Sequence, residues 1–179
     1  MNTMVKLSIL AKTGLSVRFM SEHLSVPISR RFTKNTITGL KATHGPLTLK
    51  IGPFSKTVAP GPEERIGWGA LGFKIQMDGK TIVNLGDTLP HFSEWASIDQ
   101  PDVLILPICG RTAHNTMGEK KALQVVKMMR PKLVIPCHYN CPVFFSKHAN
   151  PADDVTFKHA VEQTGVVCVI MHKNESVDM

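Results

Sequence analysis

Apolar and polar positions change period along the chain, and the changes mark out its elements. Residues 36–42, TITGLKA, alternate in type and stop at Thr43-His44-Gly45-Pro46, which predicts a strand ending in a turn. LGFKIQM (71–77) and TIVNL (81–85) flank Asp78-Gly79, a pair that tolerates positive φ and so suits the two-residue loop of a β-hairpin. DVLILP (102–107), KLVIP (132–136) and VVCVIM (166–171) are short apolar runs of the kind that form buried strands. Between them, TMGEKKALQVVKMM (116–129) sets Leu123, Val126 and Met129, or Val125 and Met129, apart from Lys120, Lys121 and Lys127, the spacing of an amphipathic helix. PADDVTFKHAVEQTG (151–165) opens on Pro and acids and closes on Gly, which are helix start and stop signals in order. A hairpin followed by β-α-β-α-β predicts an α/β (α+β) fold, a mixed β-sheet flanked by helices. Residues 1–36 hold no period for long, and Gly14 and Pro27 interrupt them. We therefore divide the chain into a poorly patterned N-terminal segment, 1–36, and a patterned unit, 37–179.

Composition narrows the class. With 42% apolar and 20% charged residues, the 179-residue chain is neither disordered nor collagen-like. No apolar run is long enough to span a membrane and no long apolar signal region opens the chain, so the expectation is a cytoplasmic protein without a membrane partner. In that setting Cys109, Cys137, Cys141 and Cys168 read as reduced thiols. The net charge of +7 is uneven: residues 1–62 hold nine Lys/Arg against Glu22 alone, so that stretch carries +8 and the remainder −1. A basic segment can bind nucleic acid or another anionic partner. Here the basic residues are scattered and few aromatics interleave with them, which favours a solvated surface.

Three polar residues share one kind of place. His44 follows the strand at 36–42, Asp87 the strand at 81–85 and His138 the strand at 132–136. Ligand sites in open α/β sheets gather at the carboxyl ends of strands, where loops are free to vary on a rigid frame. Two imidazoles and a carboxylate match the ligand preferences of Zn, Mn or Fe. The same residues also have bland readings, a turn histidine and an aspartate bonded to its own backbone, and spacing alone does not decide between them.

GLKATHGP (39–46), GALGFKIQMDGKTIVNLGDT (69–88), DVLILPICGRTAHNTMGEKKAL (102–123) and PKLVIPCHYN (131–140) resemble, in order and spacing, the C-terminal half of the metallo-β-lactamase-fold hydrolases, in particular the ascorbate-phosphate lactonase-like branch. The resemblance covers residues 37–171. It implies the C-terminal half of a four-layer αββα sandwich, and it implies a two-metal site. By resemblance His44 binds the first ion, Asp87 bridges both and His138 binds the second, with Asp87 and His138 as the catalytic pair. The implied reaction is hydrolysis of a lactone, ester or phosphoester by a metal-bound hydroxide. Arg111, His114, Tyr139 and Asn140 lie beside these motifs and are candidates for contact with a small anionic, lactone or ester substrate.

One departure limits this reading. The family carries H-x-H-x-D-H after an N-terminal strand, whereas the histidines here are 23, 44, 91, 114, 138, 148, 159 and 172, no two of them one residue apart. The chain is therefore expected to be a truncated hydrolase that needs a homo-oligomeric partner or a complementing N-terminal half. The alternatives are a non-catalytic remnant that packs on a partner chain and, on the basic first 62 residues, a nucleic-acid-binding or nuclease-related protein. Whether the chain alone is an enzyme stays open at this point.

Overall fold

The computed structural model describes residues 5–11, 14–19, 36–43, 47–51, 54–58, 71–77, 79–109, 116–143, 146–149, 151–172 and 175–178. Its centre is a six-stranded mixed sheet made of β3 (Thr36–Lys41), β6 (Leu71–Met77), β7 (Lys80–Asn84), β8 (Val103–Pro107), β9 (Leu133–Cys137) and β12 (Val167–Cys168), in the order β12-β9-β8-β7-β6-β3. β7, β8, β9 and β12 run parallel, while β6 is antiparallel to both β7 and β3. The β6–β7 hairpin forms where the sequence predicts it, Met77 pairing with Lys80, and Gly79 takes a φ of 78°. Among the described residues three helices accompany the sheet: α1 (Phe92–Trp95), α2 (Glu119–Met129) and α3 (Asp154–Glu162).

Period-two alternation gives the sheet two apolar faces. Val83, Leu85, Leu104, Leu106, Val134 and Cys168 point to one side and pack with Trp95 of α1, with Ala122, Val125, Val126 and Met129 of α2, and with Phe157 and Val161 of α3. Ile82, Val103, Ile105 and Ile135 point to the other, with Met171 beside them. On that second side the register aligns one row across all six strands: Ile37, Ile75, Ile82, Val103, Leu133 and Val167.

The helices start later than the apolar pattern suggests, because their lead-in residues are engaged elsewhere. α2 begins after Gly118, an extended N-cap, and ends where Arg130 turns left-handed (φ 49°) before Pro131, its N–H bonding the Val126 carbonyl. α3 begins after Asp153, whose carboxylate accepts the Thr156 N–H at 2.9 Å. β12 is shorter than the apolar run 166–171, since this edge strand has only β9 to pair with; Val169 adds one further bond, to the Val134 carbonyl.

Residues 1–36 are not featureless. β1 (Val5–Ala11) and β2 (Gly14–Phe19) form an antiparallel pair, and β13 (Ser176–Asp178) lies against β1. Gly14, read from the sequence as an interruption, opens β2. Two further pairs, β4 (Leu47–Ile51) with β5 (Phe54–Val58) and β10 (Cys141–Val143) with β11 (Ser146–Ala149), complete the strands among the described residues. Within the hairpin, Gly72 sits in a tight place: a Cβ there would lie 3.0 Å from the carbonyl oxygens of Asn84 and Leu85.

Candidate metal centre

Strand direction decides what meets at the rim. β7, β8 and β9 are parallel, and β3, reached through two antiparallel neighbours, runs the same way. The chain therefore leaves all four at one edge, through Thr43, Gly86-Asp87-Thr88, Ile108-Cys109 and His138-Tyr139-Asn140. β7 and β9 flank β8, so their ends are about 9–10 Å apart. Asp87 and His138 close that span over the end of β8, with His138 Nε2 2.9 Å from Asp87 Oδ2. Their side chains keep 31% and 29% exposure, so the pair is open to solvent on one side and held by protein on the other.

Local backbone chemistry aims both residues. The Asn84 side-chain oxygen accepts the Gly86 N–H at 3.0 Å, and Gly86 adopts a φ of 68° that suits glycine, so the chain turns at the strand end and delivers Asp87 to the rim. His138 has a φ of 54° and Asn140 of 48°, left-handed values rare for residues with a side chain and less rare for His and Asn. The strand is thereby broken directly after Cys137, whose carbonyl still accepts the Ile108 N–H. Sparsely populated backbone geometry concentrates at functional sites, where surrounding structure holds it in place.

The neighbours of His138 are occupied by the fold. Asn140 donates Nδ2–H to the Ala152 carbonyl and accepts the Ala152 N–H, at 3.1 and 3.2 Å, fastening the lead-in to α3. Tyr139 packs against the helix-covered core, and its hydroxyl is raised well above the ordinary tyrosine range by burial and by the Asp154 carboxylate to which it hydrogen-bonds. It is a neutral donor rather than an ionising group. His44, Arg111 and His114 lie outside the described residues.

Two residues that the sequence reading did not single out stand at the centre of this rim. Thr88 and Thr116 are the buried polar side chains among the described residues. Thr88 Oγ1 accepts the Thr43 N–H at 2.7 Å and donates to the Leu89 carbonyl at 2.8 Å. Its carbonyl accepts the Met117 N–H at 2.9 Å and the Thr116 hydroxyl at 3.0 Å. The only signal in the sequence is a threonine following the strand-end aspartate; burial gives it meaning, and burial is not visible in a sequence.

A carboxylate oxygen and an imidazole nitrogen at adjoining positions are a suitable donor pair for a borderline divalent ion such as Zn²⁺ or Mn²⁺. They fit such an ion in chemistry and supply part of its ligand number, since among the described residues no three His, Cys, Asp or Glu side chains come together as a metal-holding group.

Comparison with known proteins agrees with the fold. A family described as "Beta-lactamase superfamily domain" matches residues 25–138, a stretch that includes Asp87 and His138. The chain belongs to the metallo-β-lactamase-fold family. Within that family it is 38% identical over 120 residues to a UPF0173 metal-dependent hydrolase of Pelotomaculum thermopropionicum, covering 66% of this chain and 50% of the relative. It is 32% identical over 144 residues to one of Carboxydothermus hydrogenoformans, covering 78% and 59%. Among solved structures, Igni18, a metallo hydrolase from the archaeon Ignicoccus hospitalis, superposes with a TM-score of 0.60 at 29% identity, over 81% of this chain and 53% of that one. The chain spans about half the length of the curated relatives it matches. Among the described residues no helix is long and apolar enough to cross a membrane.

Proposed function

We propose that Asp87 and His138 form part of a divalent-metal hydrolytic centre, with His44 as a further ligand, and that the reaction is hydrolysis of a lactone, ester or phosphoester. The observation that carries this reading is the approach of Asp87 to His138, 2.9 Å apart although they leave different strands with a third between them. Membership of the metallo-β-lactamase-fold family and relatives named as metal-dependent hydrolases support it. A divalent ion held by Asp87 and His138 would supply Lewis acidity, lowering the pKa of water to about 7 and polarising a scissile carbonyl or phosphoryl group. The chain's own part is to hold Asp87 and His138 at the rim and to present Arg111 and His114, from the loop after β8, to a small anionic or lactone substrate. Asn140 and Tyr139 anchor the turn that positions His138. Zn or Mn is the expected metal and the cytoplasm the expected compartment. On this reading residues 37–179 are the functional half-domain and residues 1–36 its basic extension.

H-x-H-x-D-H does not occur in these 179 residues, so the remaining donors are proposed to come from a complementing segment or a second chain. The test is metal content after dialysis against Zn²⁺ or Mn²⁺. The chain alone should retain less than one ion, Asp87→Ala and His138→Ala should remove what is retained, and co-expression with an H-x-H-x-D-H half should bring the content to about two ions per assembled unit. Retention unchanged in both alanine variants would sink the reading.

A second reading, a non-catalytic module that packs on a partner chain, is favoured by one observation. The apolar row on the face away from the helices is open at its ends, with Ile37 70% and Val167 57% exposed. Metal-independent binding of a partner would select it.

A further inference from the structure

We infer that Thr88 is a positioning residue of the metal centre: its hydroxyl ties Thr43, the residue before His44, to the loop carrying Asp87, and its carbonyl ties that loop to the approach to α2. The inference rests on the metal-centre reading above. Three chain segments, distant in sequence, converge on this residue. From the end of β3, the Thr43 N–H meets Thr88 Oγ1 at 2.7 Å, and the Thr43 carbonyl, which belongs to the Thr43–His44 peptide, accepts the Leu89 N–H at 2.8 Å. From the approach to α2, Thr116 and Met117 both donate to the Thr88 carbonyl and fill its two lone pairs. The third segment is Thr88 itself, peptide-bonded to Asp87.

The hydroxyl is engaged both as donor and as acceptor. Its single proton goes to the Leu89 carbonyl at 2.8 Å, the Thr43 carbonyl being farther at 3.4 Å, and one of its lone pairs takes the Thr43 N–H. Thr88 has no exposed surface, so its hydroxyl cannot turn to water instead. A buried polar knot is costly unless every member is satisfied, and once satisfied it holds one arrangement rather than several. An apolar residue would fill the same space without fixing Thr43. What the threonine adds is a bond to the residue before one metal ligand, supplied by the residue after another. His138 needs no such tie, because β9 and its own left-handed turn place it.

The test compares zinc affinity of the full chain, read by competition with a chromophoric chelator, with its melting temperature. Thr88→Val keeps the shape and removes the hydroxyl; Thr88→Ser keeps the hydroxyl. We expect Thr88→Val to weaken zinc binding about tenfold or more, the usual effect of losing an outer-sphere support, and Thr88→Ser to stay within about twofold of wild type. Val126→Ala, on the buried face of α2, serves as a control that lowers the melting temperature but leaves zinc affinity unchanged. Thr88→Val with wild-type affinity overturns the inference, as does Thr88→Ser weakened as much as Thr88→Val. It is equally overturned if Val126→Ala loses affinity to the same extent, since the effect would then be general loss of stability. Asp87→Ala binding zinc as wild type does would overturn the metal-centre reading itself and this inference with it, whereas a loss in Asp87→Ala with none in Thr88→Val overturns the inference alone.

Discussion

On one face of the six-stranded sheet, Val83, Leu85, Leu104, Leu106 and Val134 lie under the helices with no exposed surface. On the other, the row from Ile37 through Ile82 and Val103 to Val167 is buried at its centre and open at both ends. The residue types are alike, branched aliphatics at every second position, and the strands are the same strands. What differs is the layer above. The helices that join successive parallel strands must lie on a face of the sheet, so one side is covered as a consequence of the connections. The other side depends on whatever else is brought to it. An apolar row therefore states a capacity for burial, and the topology decides whether it is used.

The comparison can be tested by deleting side chains from each face. Phe157→Ala, on α3 against the covered face, should destabilise the chain by about 3–5 kcal/mol in urea unfolding, because the ring is buried and its removal leaves a cavity. A loss below about 1 kcal/mol would mean that the two faces are not so different. Next in size is the frame that both faces share. Asp102, just before β8, accepts the Thr81 N–H at 2.7 Å and the Lys132 ammonium at 2.8 Å, with Lys80 at 3.9 Å. Burial alone would raise its pKa; the Lys132 hydrogen bond, the Thr81 N–H and the two lysine charges outweigh it and hold the carboxyl below its usual range. A carboxyl depressed in the fold contributes stability that is present above its unfolded pKa and lost as pH falls through the folded one. Asp102→Asn should thus lower stability by about 1.5–3 kcal/mol near neutral pH, and the gap to wild type should narrow once the pH drops below about 4. A gap that persists unchanged at acidic pH would show that the charge is not what matters. The smallest effect belongs to the open ends: Ile37→Thr and Val167→Thr should each change stability by less than about 0.5 kcal/mol. Both should reduce self-association in sedimentation experiments, since exposed apolar patches drive contact between molecules.

Much of this sheet can be read in the amino-acid order, and the reason is local. The β6–β7 hairpin is written in Asp78-Gly79, and α2 in apolar positions, Val126 and Met129 among them, set apart from Lys120, Lys121 and Lys127. Elements with a strong period or a defined turn need no distant partner to be recognised. β1 and β2 lack both, and β1 lies between β2 and β13, a partner more than 160 residues away that no local pattern announces. The rim divides in the same way. Asp87 and His138 share a kind of position that can be inferred strand by strand, but their separation follows from strand order. Thr88 escapes altogether, because its importance lies in burial and in bonds to Thr43 and Thr116, neither of which is near it in the chain.

Gly72 shows how a missing side chain can be a component. It stands on the outer strand of the hairpin, opposite the carbonyls of Asn84 and Leu85, which immediately precede the Gly86-Asp87 turn. Even a methyl group there would press on backbone rather than on a flexible side chain, and β7 would have to yield by a few tenths of an ångström where it delivers Asp87 to the rim. Alanine at this position is a lever on the site applied from a strand that contributes no ligand to it. A substitution at Gly72 should therefore be felt at the Asp87 turn, for a reason that lies in space and not in chemistry.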